Sequence, residues 1–424
     1  MNESYYGSQN DSIMDSGEGG EVGGGEEGVP HNPWLDISCY DMAVIGEYGA
    51  NNFYYFPPQL LLGLFYQHHN YVLKFYVSPL IALFGILLNV TFLFVVARVR
   101  EMKTITNFYL GNLAVSDIMF LIFSAIDLLR TWQSNPGLLL HHPYNTIAQC
   151  VSQSLLVNLT FYGSVCMVTL VTFERYMAIC HPLKHRMIGG KRYTVKVTVI
   201  AWLAAIAMGS LSSMTTVKSR SVCTLWPPGL KEILKYHIGD VQTVCSPVGF
   251  SHTSLSWFTV TYGIQTSFFI LNLCVNIVFY LFIILRLGKR NVARKETRER
   301  HNDVQSVRNQ VAKMLIINGT LFFMLMLPYE IRTFAEFVED VTEGKVELLS
   351  NNQILNLEFY GSCLRFINSS MNPLIYGLSN PRYRKAYRKA FGCGLKGSKR
   401  HDNVTKKTTV STVSTAADEH SNKL

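Results

Sequence analysis

The chain has 424 residues, of which 48% are hydrophobic and 16% charged, with a formal net charge of +9. This composition is too apolar for an ordinary soluble protein, and the apolar residues are concentrated in blocks. Five blocks contain no Asp, Glu, Lys or Arg: 75–97, 143–173, 197–217, 253–285 and 314–329. Two more, 107–132 and 349–378, are equally apolar apart from isolated charges. Because about 20 apolar residues cross a bilayer as a helix, the pattern predicts seven membrane spans.

The charges are distributed unevenly along the chain. Residues 1–70 contain ten acidic residues and no Lys or Arg, whereas basic residues cluster after spans one, three, five and seven. Cytoplasmic loops are enriched in Lys and Arg, so an extracellular N-terminus and a cytoplasmic C-terminus are expected. Topology explains the basic clusters, and no nucleic-acid partner is expected. No signal-peptide pattern opens the chain, so span one is expected to direct insertion.

Four regions follow from these patterns. Residues 1–70 are expected to be a disordered, acidic extracellular tail, and residues 71–379 the bundle of seven helices. Residues 380–393 alternate aromatic and basic residues at helical spacing, which predicts an amphipathic helix on the inner leaflet. Residues 394–424 are a cytoplasmic tail rich in Ser and Thr. Candidate modification sites are Asn2 and Asn10 for glycosylation, Cys393 for palmitoylation, and the Ser and Thr residues of the C-terminal tail for phosphorylation.

Span two contains an acidic residue, Asp117. A carboxylate at mid-membrane depth costs at least about 2.5–3.5 kcal/mol. Asp117 is therefore expected to be either neutral and hydrogen-bonded or paired with a cation. A satisfied polar contact between helices needs only Asn89 of span one as its partner.

Cysteines on the extracellular side are expected to form disulfides. Cys150 precedes span three, and the loop between spans four and five contains Cys223 and Cys245. We expect Cys150 to pair with Cys245, because residues 242–245 are typical of a short strand leading into span five. Cys39 and Cys223 are candidates for a second bridge. The remaining thiols in or beside the spans are expected to be inert: Cys166, Cys180, Cys274 and Cys363.

Span three ends in a Glu-Arg-Tyr motif at residues 174–176, directly after its uncharged run. Arg175 lies 25 residues after Cys150, which corresponds to about 37 Å along a helix. The two residues are therefore expected at opposite faces of the membrane. Prolines interrupt the last two spans at Pro328 and Pro373, and a kink is expected at Pro328 because proline lacks a backbone N–H.

These motifs, taken in order, resemble the rhodopsin-like (class A) G-protein-coupled receptors over about residues 70–395. They are Glu174-Arg175-Tyr176, Asn372-Pro373-Leu-Ile-Tyr376, Leu113-Ala-Val-Ser-Asp117 and Cys150. Segments 102–110, 174–183 and 311–315 resemble the branch that includes the thyrotropin-releasing-hormone, ghrelin and neuromedin U receptors. The resemblance implies an all-α, seven-helix receptor of the plasma membrane with a peptide ligand. It also implies heterotrimeric G proteins as partners, and arrestin bound to the phosphorylated tail.

The resemblance also implies three groups of site residues. Residues expected in G-protein coupling are Glu174, Arg175, Tyr176, Tyr280, Asn372, Pro373 and Tyr376. Those expected to hold a sodium ion are Asp117, Ser164, Asn368 and Asn372, with Asn89 adjacent, and no other cofactor is expected. The ligand pocket is expected to include Val157, Asn158, Phe161, Tyr329, Glu330, Thr333, Arg365 and Phe366.

The chain departs from the family pattern at several positions. Met326 replaces the span-six tryptophan, Asn272 replaces the span-five proline, and the late span-four proline is missing. Val157 occupies the position of the aspartate in amine receptors, which argues against an amine ligand. Phe366 occupies the position of the retinal-binding lysine, which argues against a photoreceptor.

Two charged residues are expected at the depth of the ligand pocket, Glu330 on span six and Arg365 on span seven. Membrane energetics disfavours leaving either charge unpaired. They are expected either to form a mutual salt bridge or to bind a ligand separately. We favour the second arrangement, in which Arg365 holds a carboxyl or amide terminus and Glu330 a basic group. The acidic outer loops favour a basic or amidated peptide, although a solvated acidic surface explains them equally well.

Two other functions are alternatives to that of a peptide receptor. Within the same fold, a receptor for a small molecule or a lipid is the alternative. From another class, a seven-span transporter or channel is the alternative, but the sequence contains no internal repeat. An enzyme is not expected, since the sequence shows no nucleophile–base pair, metal-spaced cluster or phosphate-binding Gly loop.

Overall fold

A computed structural model describes residues 53–55, 68–134, 144, 146–188, 190–213, 218–225, 241–246, 257–297 and 303–392. The strands among these are described by their backbone alone. Predictions for Asn2, Asn10, Cys39, Cys393 and the tail 394–424 lie outside the described residues.

The described part is dominated by long helices. Their bounds are His68–Val72, Leu73–Val77 (a π-helix) and Ser78–Arg98 for span one, Ile105–Ser134 for span two, Ile147–Cys180 for span three, Lys191–Ser213 for span four, Trp257–Thr297 for span five, Asp303–Val341 for span six and Asn351–Ser379 for span seven. Among the described helices, spans one to six are long and apolar enough to cross a membrane. Span seven packs against spans one and six. Spans six and seven continue through their prolines.

A small sheet accompanies the bundle. Its strands are β1 (Phe53–Tyr55), β2 (Lys218–Leu225) and β3 (Val241–Ser246), with β1 parallel and β3 antiparallel to β2. β1 thus adds an ordered element to the predicted N-terminal tail, and β3 confirms the strand predicted around residues 242–245. Strand β2 contacts span three.

The cysteines divide as the sequence predicted. Cys150 is disulfide-bonded, and its pairing with Cys245 stays a prediction because the side chains of both loop cysteines lie outside the described set. The four thiols expected to be inert form no disulfide.

A surface helix, Pro381–Ala390, follows span seven directly. It buries Tyr383, Ala386 and Ala390, and the Tyr383 hydroxyl donates to Asn107 Oδ1 at 2.5 Å. On its exposed side the Lys389 ammonium lies 2.5 Å from Glu101 Oε1, and this hydrogen bond lowers the pKa of Glu101 below its usual value. The helix is therefore attached to the turn after span one and to the start of span two.

Candidate functional site

Span three runs the length of the bundle and defines its two ends, which we call the Cys150 end and the Arg175 end. At the Arg175 end, Glu174 is only 8% exposed and its Oε2 lies 2.7 Å from Arg175 Nε. Glu174 also accepts from Thr106 Oγ1 at 3.3 Å and lies 3.4 Å from His185 Nε2. The predicted Glu174–Arg175 pair is present, and Glu174 connects span three to span two and to the short helix Pro182–Ile188 that follows.

Two predicted coupling residues, Tyr280 and Tyr376, are buried near this pair. The Tyr280 hydroxyl is hydrogen-bonded to Thr172 Oγ1 at 3.1 Å. It also packs against the backbone of span six, because a Cβ added to Gly319 would lie 1.7 Å from the Tyr280 oxygen. Tyr376 packs against Phe92 with ring centroids 5.2 Å apart. Tyr280 therefore joins spans three, five and six.

Tyr176, the third residue of the motif, has a different environment. Its ring stacks on Phe279 of span five with centroids 4.9 Å apart, and its hydroxyl lies 3.0 Å from His181 Nε2. Tyr176 therefore contacts span five rather than Arg175.

Asn272, which replaces the family proline, belongs to a polar junction that we call the span three–five clasp: Thr169, Asn272 and Asn276. Thr169 Oγ1 donates to Asn272 Oδ1 at 3.0 Å, and Asn276 Nδ2 donates to Thr169 Oγ1 at 2.8 Å. Asn276 Nδ2 also donates to the Asn272 carbonyl at 2.8 Å. Polar side chains therefore link the two spans where the family has a proline. Met326 is buried in the core beside Phe322.

Asp117 is fully buried and hydrogen-bonded, one of the two states expected for it. Asn372 Nδ2 donates to Asp117 Oδ2 at 2.7 Å, which connects span two to the proline motif of span seven. Asn89, the partner that a simple contact between helices would need, instead donates to the carbonyls of Gly85 and Ser369, both at 2.9 Å.

The predicted sodium-binding residues fit a small cation by their chemistry. Asp117 Oδ1 is buried without a hydrogen-bond partner, and so is Asn89 Oδ1. Ser164 Oγ donates to Ser116 Oγ at 3.1 Å, and Asn368 is buried. Hard oxygen donors of this kind suit a hard cation. Within the described residues, no group of three or more His, Cys, Asp or Glu residues forms a conventional metal centre.

Arg365 lies among aromatic rings toward the Cys150 end. Its guanidinium carbon is 4.4 Å from the ring centroid of Tyr329, 5.0 Å from that of Phe120 and 6.0 Å from that of Phe161. No described carboxylate forms an ion pair with it within 4.0 Å. The backbone of span seven approaches Tyr329 closely, since a Cβ on Gly361 would lie 3.0 Å from the Tyr329 backbone.

Glu330 faces span five and not Arg365. Gln265 Nε2 donates to Glu330 Oε1 at 3.2 Å, Glu330 is 3% exposed, and its Oε2 has no hydrogen-bond partner. The mutual Glu330–Arg365 salt bridge, one of the two predicted arrangements, is not formed.

The ion pair that does join spans six and seven was not predicted. Arg332 Nη1 lies 2.9 Å from Glu358 Oε2 on span seven, and Arg332 Nη2 lies 2.8 Å from Glu336 Oε1 one turn along its own helix. The i,i+4 spacing of Arg332 and Glu336 was the available signal in the sequence.

The other predicted pocket residues pack in the bundle or make contacts within their own helix. Phe161 and Phe366 are buried, and Phe366 pairs with Phe120 at 5.5 Å between ring centroids. Thr333 donates to the carbonyl of Tyr329 at 3.1 Å. Asn158 donates to Ser154 Oγ at 3.3 Å, and Val157 packs in the same cluster as Phe366.

The sequence matches the family described as 7 transmembrane receptor (rhodopsin family) over residues 88–376. The chain belongs to this family. Growth hormone secretagogue receptor type 1 of Homo sapiens is 27% identical over 353 residues, covering 80% of this chain and 82% of that receptor. Neuromedin-U receptor 2 of Rattus norvegicus is 26% identical over 313 residues, covering 73% and 72%. The same receptor of Mus musculus is 27% identical over 317 residues, covering 74% and 73%.

These relatives confirm the predicted receptor family and its ghrelin and neuromedin U branch. The protein is therefore a multi-pass receptor of the plasma membrane, and the members of this family are receptors and not enzymes. The transporter alternative is not favoured.

Proposed function

We propose that this receptor is activated by a neuropeptide bound at the Cys150 end and that it activates heterotrimeric G proteins at the Arg175 end. In this proposal the Cys150 end is extracellular, together with the acidic N-terminal region, and the basic loops are cytoplasmic. Relatives named as neuromedin-U receptors support a peptide ligand. Arrestin binding to the phosphorylated tail, and contact of the surface helix with membrane lipid, complete the expected partners.

One observation carries the ligand proposal: Arg365 is a partly buried cation among aromatic rings, with no carboxylate within 4.0 Å among the described residues. A charge in a low-dielectric site needs a counter-ion, and an acidic or carbonyl group of a peptide terminus supplies one. Glu330 is the opposite case, a buried carboxylate with one oxygen free of hydrogen bonds. We therefore assign the peptide terminus to Arg365 and a basic group of the ligand to Glu330.

The two charged residues have different neighbours. Arg365 contacts rings of spans two, three and six, whereas Glu330 contacts Gln265 of span five. The receptor therefore offers a ligand two groups of opposite charge with separate partners. A bipolar peptide segment suits this arrangement better than a lipid with a single polar head.

Signal transfer is proposed to run through the contacts between spans. In the resting receptor Glu174 forms an ion pair with Arg175. Tyr280 is hydrogen-bonded to Thr172 and packs against Gly319. When span six moves outward, the contact at Gly319 opens and Arg175 is released toward the G protein. Tyr280 and Tyr376 then line the opened cavity.

A sodium ion is proposed as an allosteric ligand at Asp117. The free Asp117 Oδ1 and the hydroxyl of Ser164 would hold it, with Asn368 and Asn372 close by. When bound, the ion supplies a positive charge that neutralises Asp117. The direct Asn372–Asp117 hydrogen bond connects this site to the span-seven proline motif.

A panel of neuropeptides applied to cells that express the receptor, with GTP exchange and calcium as readouts, tests the proposal. At least one peptide is expected to activate the wild type, and Arg365→Gln is expected to abolish the response at unchanged surface expression. Lys345→Gln is the matched control, because Lys345 is a strongly exposed cation at the same end, with a side chain 76% exposed. Activation by a lipid or an amine but by no peptide would overturn the proposal, as would equal potency in Arg365→Gln.

A further inference from the structure

The Glu174 carboxylate has a different basic partner on each of its two oxygens. Its Oε2 lies 2.7 Å from Arg175 Nε, and its Oε1 lies 3.4 Å from His185 Nε2. The hydroxyl of Thr106 also donates to Oε2, at 3.3 Å. Among the described residues, Arg175 and His185 are the basic side chains within 4.0 Å of Glu174. His185 is therefore a second basic partner for a carboxylate that already pairs with Arg175.

A change of chain direction after span three brings His185 to this carboxylate. Span three ends at Cys180, and His181 leaves the helical conformation with φ −128° and ψ 59°. The short helix Pro182–Ile188 then begins, with proline at its first position, where the missing backbone N–H has no helical partner to lose. The His185 side chain is 27% exposed, so it exchanges protons with solvent while it contacts Glu174.

The release of Arg175 creates a charge problem at Glu174. Glu174 is buried, and removing one partner of a buried ion pair is strongly unfavourable because the other charge is left uncompensated. The Thr106 hydroxyl is neutral and supplies no charge. Histidine side chains gain a proton between about pH 5 and pH 8, so His185 can supply the missing cation. Its 3.4 Å contact is longer than a charge-assisted hydrogen bond of about 2.7–2.9 Å, which leaves room for the contact to shorten.

We propose that His185 is a positioning residue that replaces Arg175 as the counter-ion of Glu174 when the receptor activates. The inference rests on the proposed function and adds a proton to it. The Arg175–Glu174 ion pair breaks, His185 takes one proton from the surrounding water, and an imidazolium–Glu174 pair forms while Glu174 stays ionised. In the resting state Arg175 already neutralises Glu174 and repels an imidazolium. The active state therefore binds the proton more tightly, and lower pH on this side of the membrane favours coupling.

The other titratable groups at this end do not compensate Glu174 in this way. Besides Glu174 and Arg175, the groups to consider are Lys184, Arg186 and His181 near His185 in the chain, Tyr109 of span two, Tyr193 of span four and Tyr383 of the surface helix. Lys184 and Arg186 are exposed and carry a constant charge. His181 Nε2 contacts the Tyr176 hydroxyl instead, at 3.0 Å. Phenols supply no positive charge in either protonation state.

Basal GTP exchange on purified G protein, catalysed by the full-length receptor in open membranes at about pH 6.5 and about pH 8, tests the proposal. Each rate is divided by that of Glu174→Gln at the same pH, because this variant has no carboxylate to neutralise and reports any effect of pH on the G protein itself. One linked proton changes an equilibrium by at most about tenfold per pH unit. We expect the normalised rate of the wild type to be roughly threefold higher at the lower pH, and equal rates would overturn the proposal.

Variants of His185 separate charge compensation from a merely structural contact. His185→Gln keeps a neutral N–H donor but takes up no proton, so its rate is expected to be low at both pH values. His185→Arg carries a permanent charge, and its rate is expected to be high at both. His181→Gln is the matched control, because it removes a neighbouring histidine that contacts Tyr176, and it is expected to retain the pH dependence. A pH dependence that persists in His185→Gln would overturn the proposal and place the proton elsewhere, for example on Glu174.

Failure of this inference is distinguishable from failure of the proposed function. Basal GTP exchange in Glu174→Gln needs no ligand and no counter-ion at Glu174, so it reports coupling directly. If this variant accelerates exchange while the wild type shows no pH dependence through His185, the proposed function stands and only the role of His185 is lost. If neither receptor accelerates exchange at verified surface expression, G-protein coupling itself is contradicted, and the role of His185 with it.

Discussion

Removing one hydroxyl from the span three–five clasp should lower the thermal stability of the helix bundle. Thr169→Val keeps the shape of the side chain and deletes the donor to Asn272 Oδ1 and the acceptor of Asn276 Nδ2, at 3.0 and 2.8 Å. Asn276 retains its bond to the Asn272 carbonyl, so chiefly the Asn272 oxygen loses its partner. Hydrogen bonds between membrane helices contribute about 0.6 kcal/mol on average and up to about 1.7 kcal/mol. We therefore expect a loss of about 0.6–1.7 kcal/mol.

The assay is thermal unfolding of purified receptor in detergent, followed by circular dichroism, in which this loss corresponds to about 1–2 °C because the entropy of unfolding grows with chain length. Thr160→Val is the matched control, because Thr160 lies on the same span and is more deeply buried than Thr169, yet its hydroxyl bonds only the Val157 carbonyl of its own helix, at 2.8 Å. A double-mutant cycle with Asn272→Val should give a coupling of at least about 0.5 kcal/mol. Additive effects, or an equal loss in the control, would refute the clasp.

Three further predictions concern the Arg175 end and the middle of the bundle. Glu174→Gln should raise basal GTP exchange because it removes the carboxylate 2.7 Å from Arg175. Arg175→Ala should abolish coupling at normal surface expression, and unchanged coupling in Arg175→Ala would contradict the role of Arg175 in G-protein coupling. Asp117→Asn should remove the decrease in agonist affinity caused by sodium, and sodium sensitivity that persists would place the ion elsewhere. Gly319→Ala should lower thermal stability because the new Cβ overlaps the Tyr280 hydroxyl. Adding Tyr280→Phe to Gly319→Ala should partly restore that stability. An unchanged thermal stability in Gly319→Ala alone would show that Tyr280 moves freely.

Properties that depend on the order of residues along the chain were predictable. Five uncharged runs and two apolar runs with isolated charges predicted the seven spans. Residues 242–245 were predicted as the strand that becomes β3. Alternating tyrosines and basic residues predicted the surface helix, which the structure places at Pro381–Ala390. Each of these depends on local periodicity, which the sequence displays directly.

Contacts that depend on helix rotation were not predictable to the same degree. From the sequence, either Asn89 or Asn372 could bond Asp117. The packing of span seven makes Asn372 the partner. Glu330 and Arg365 were predicted at a common depth on neighbouring helices, but Glu330 is hydrogen-bonded to span five. Arg332 and Glu358 form the bridge between spans six and seven, because their helical faces meet there.

The double reversal Glu330→Arg with Arg365→Glu tests the central claim most directly, with agonist binding measured at verified surface expression. If the two residues contact the ligand separately, each single reversal and the double reversal should all lose binding, because each subsite then carries the wrong sign. Restored agonist potency in the double variant would instead show that the two residues act as a mutual salt bridge. It would contradict the assignment of both residues to the ligand.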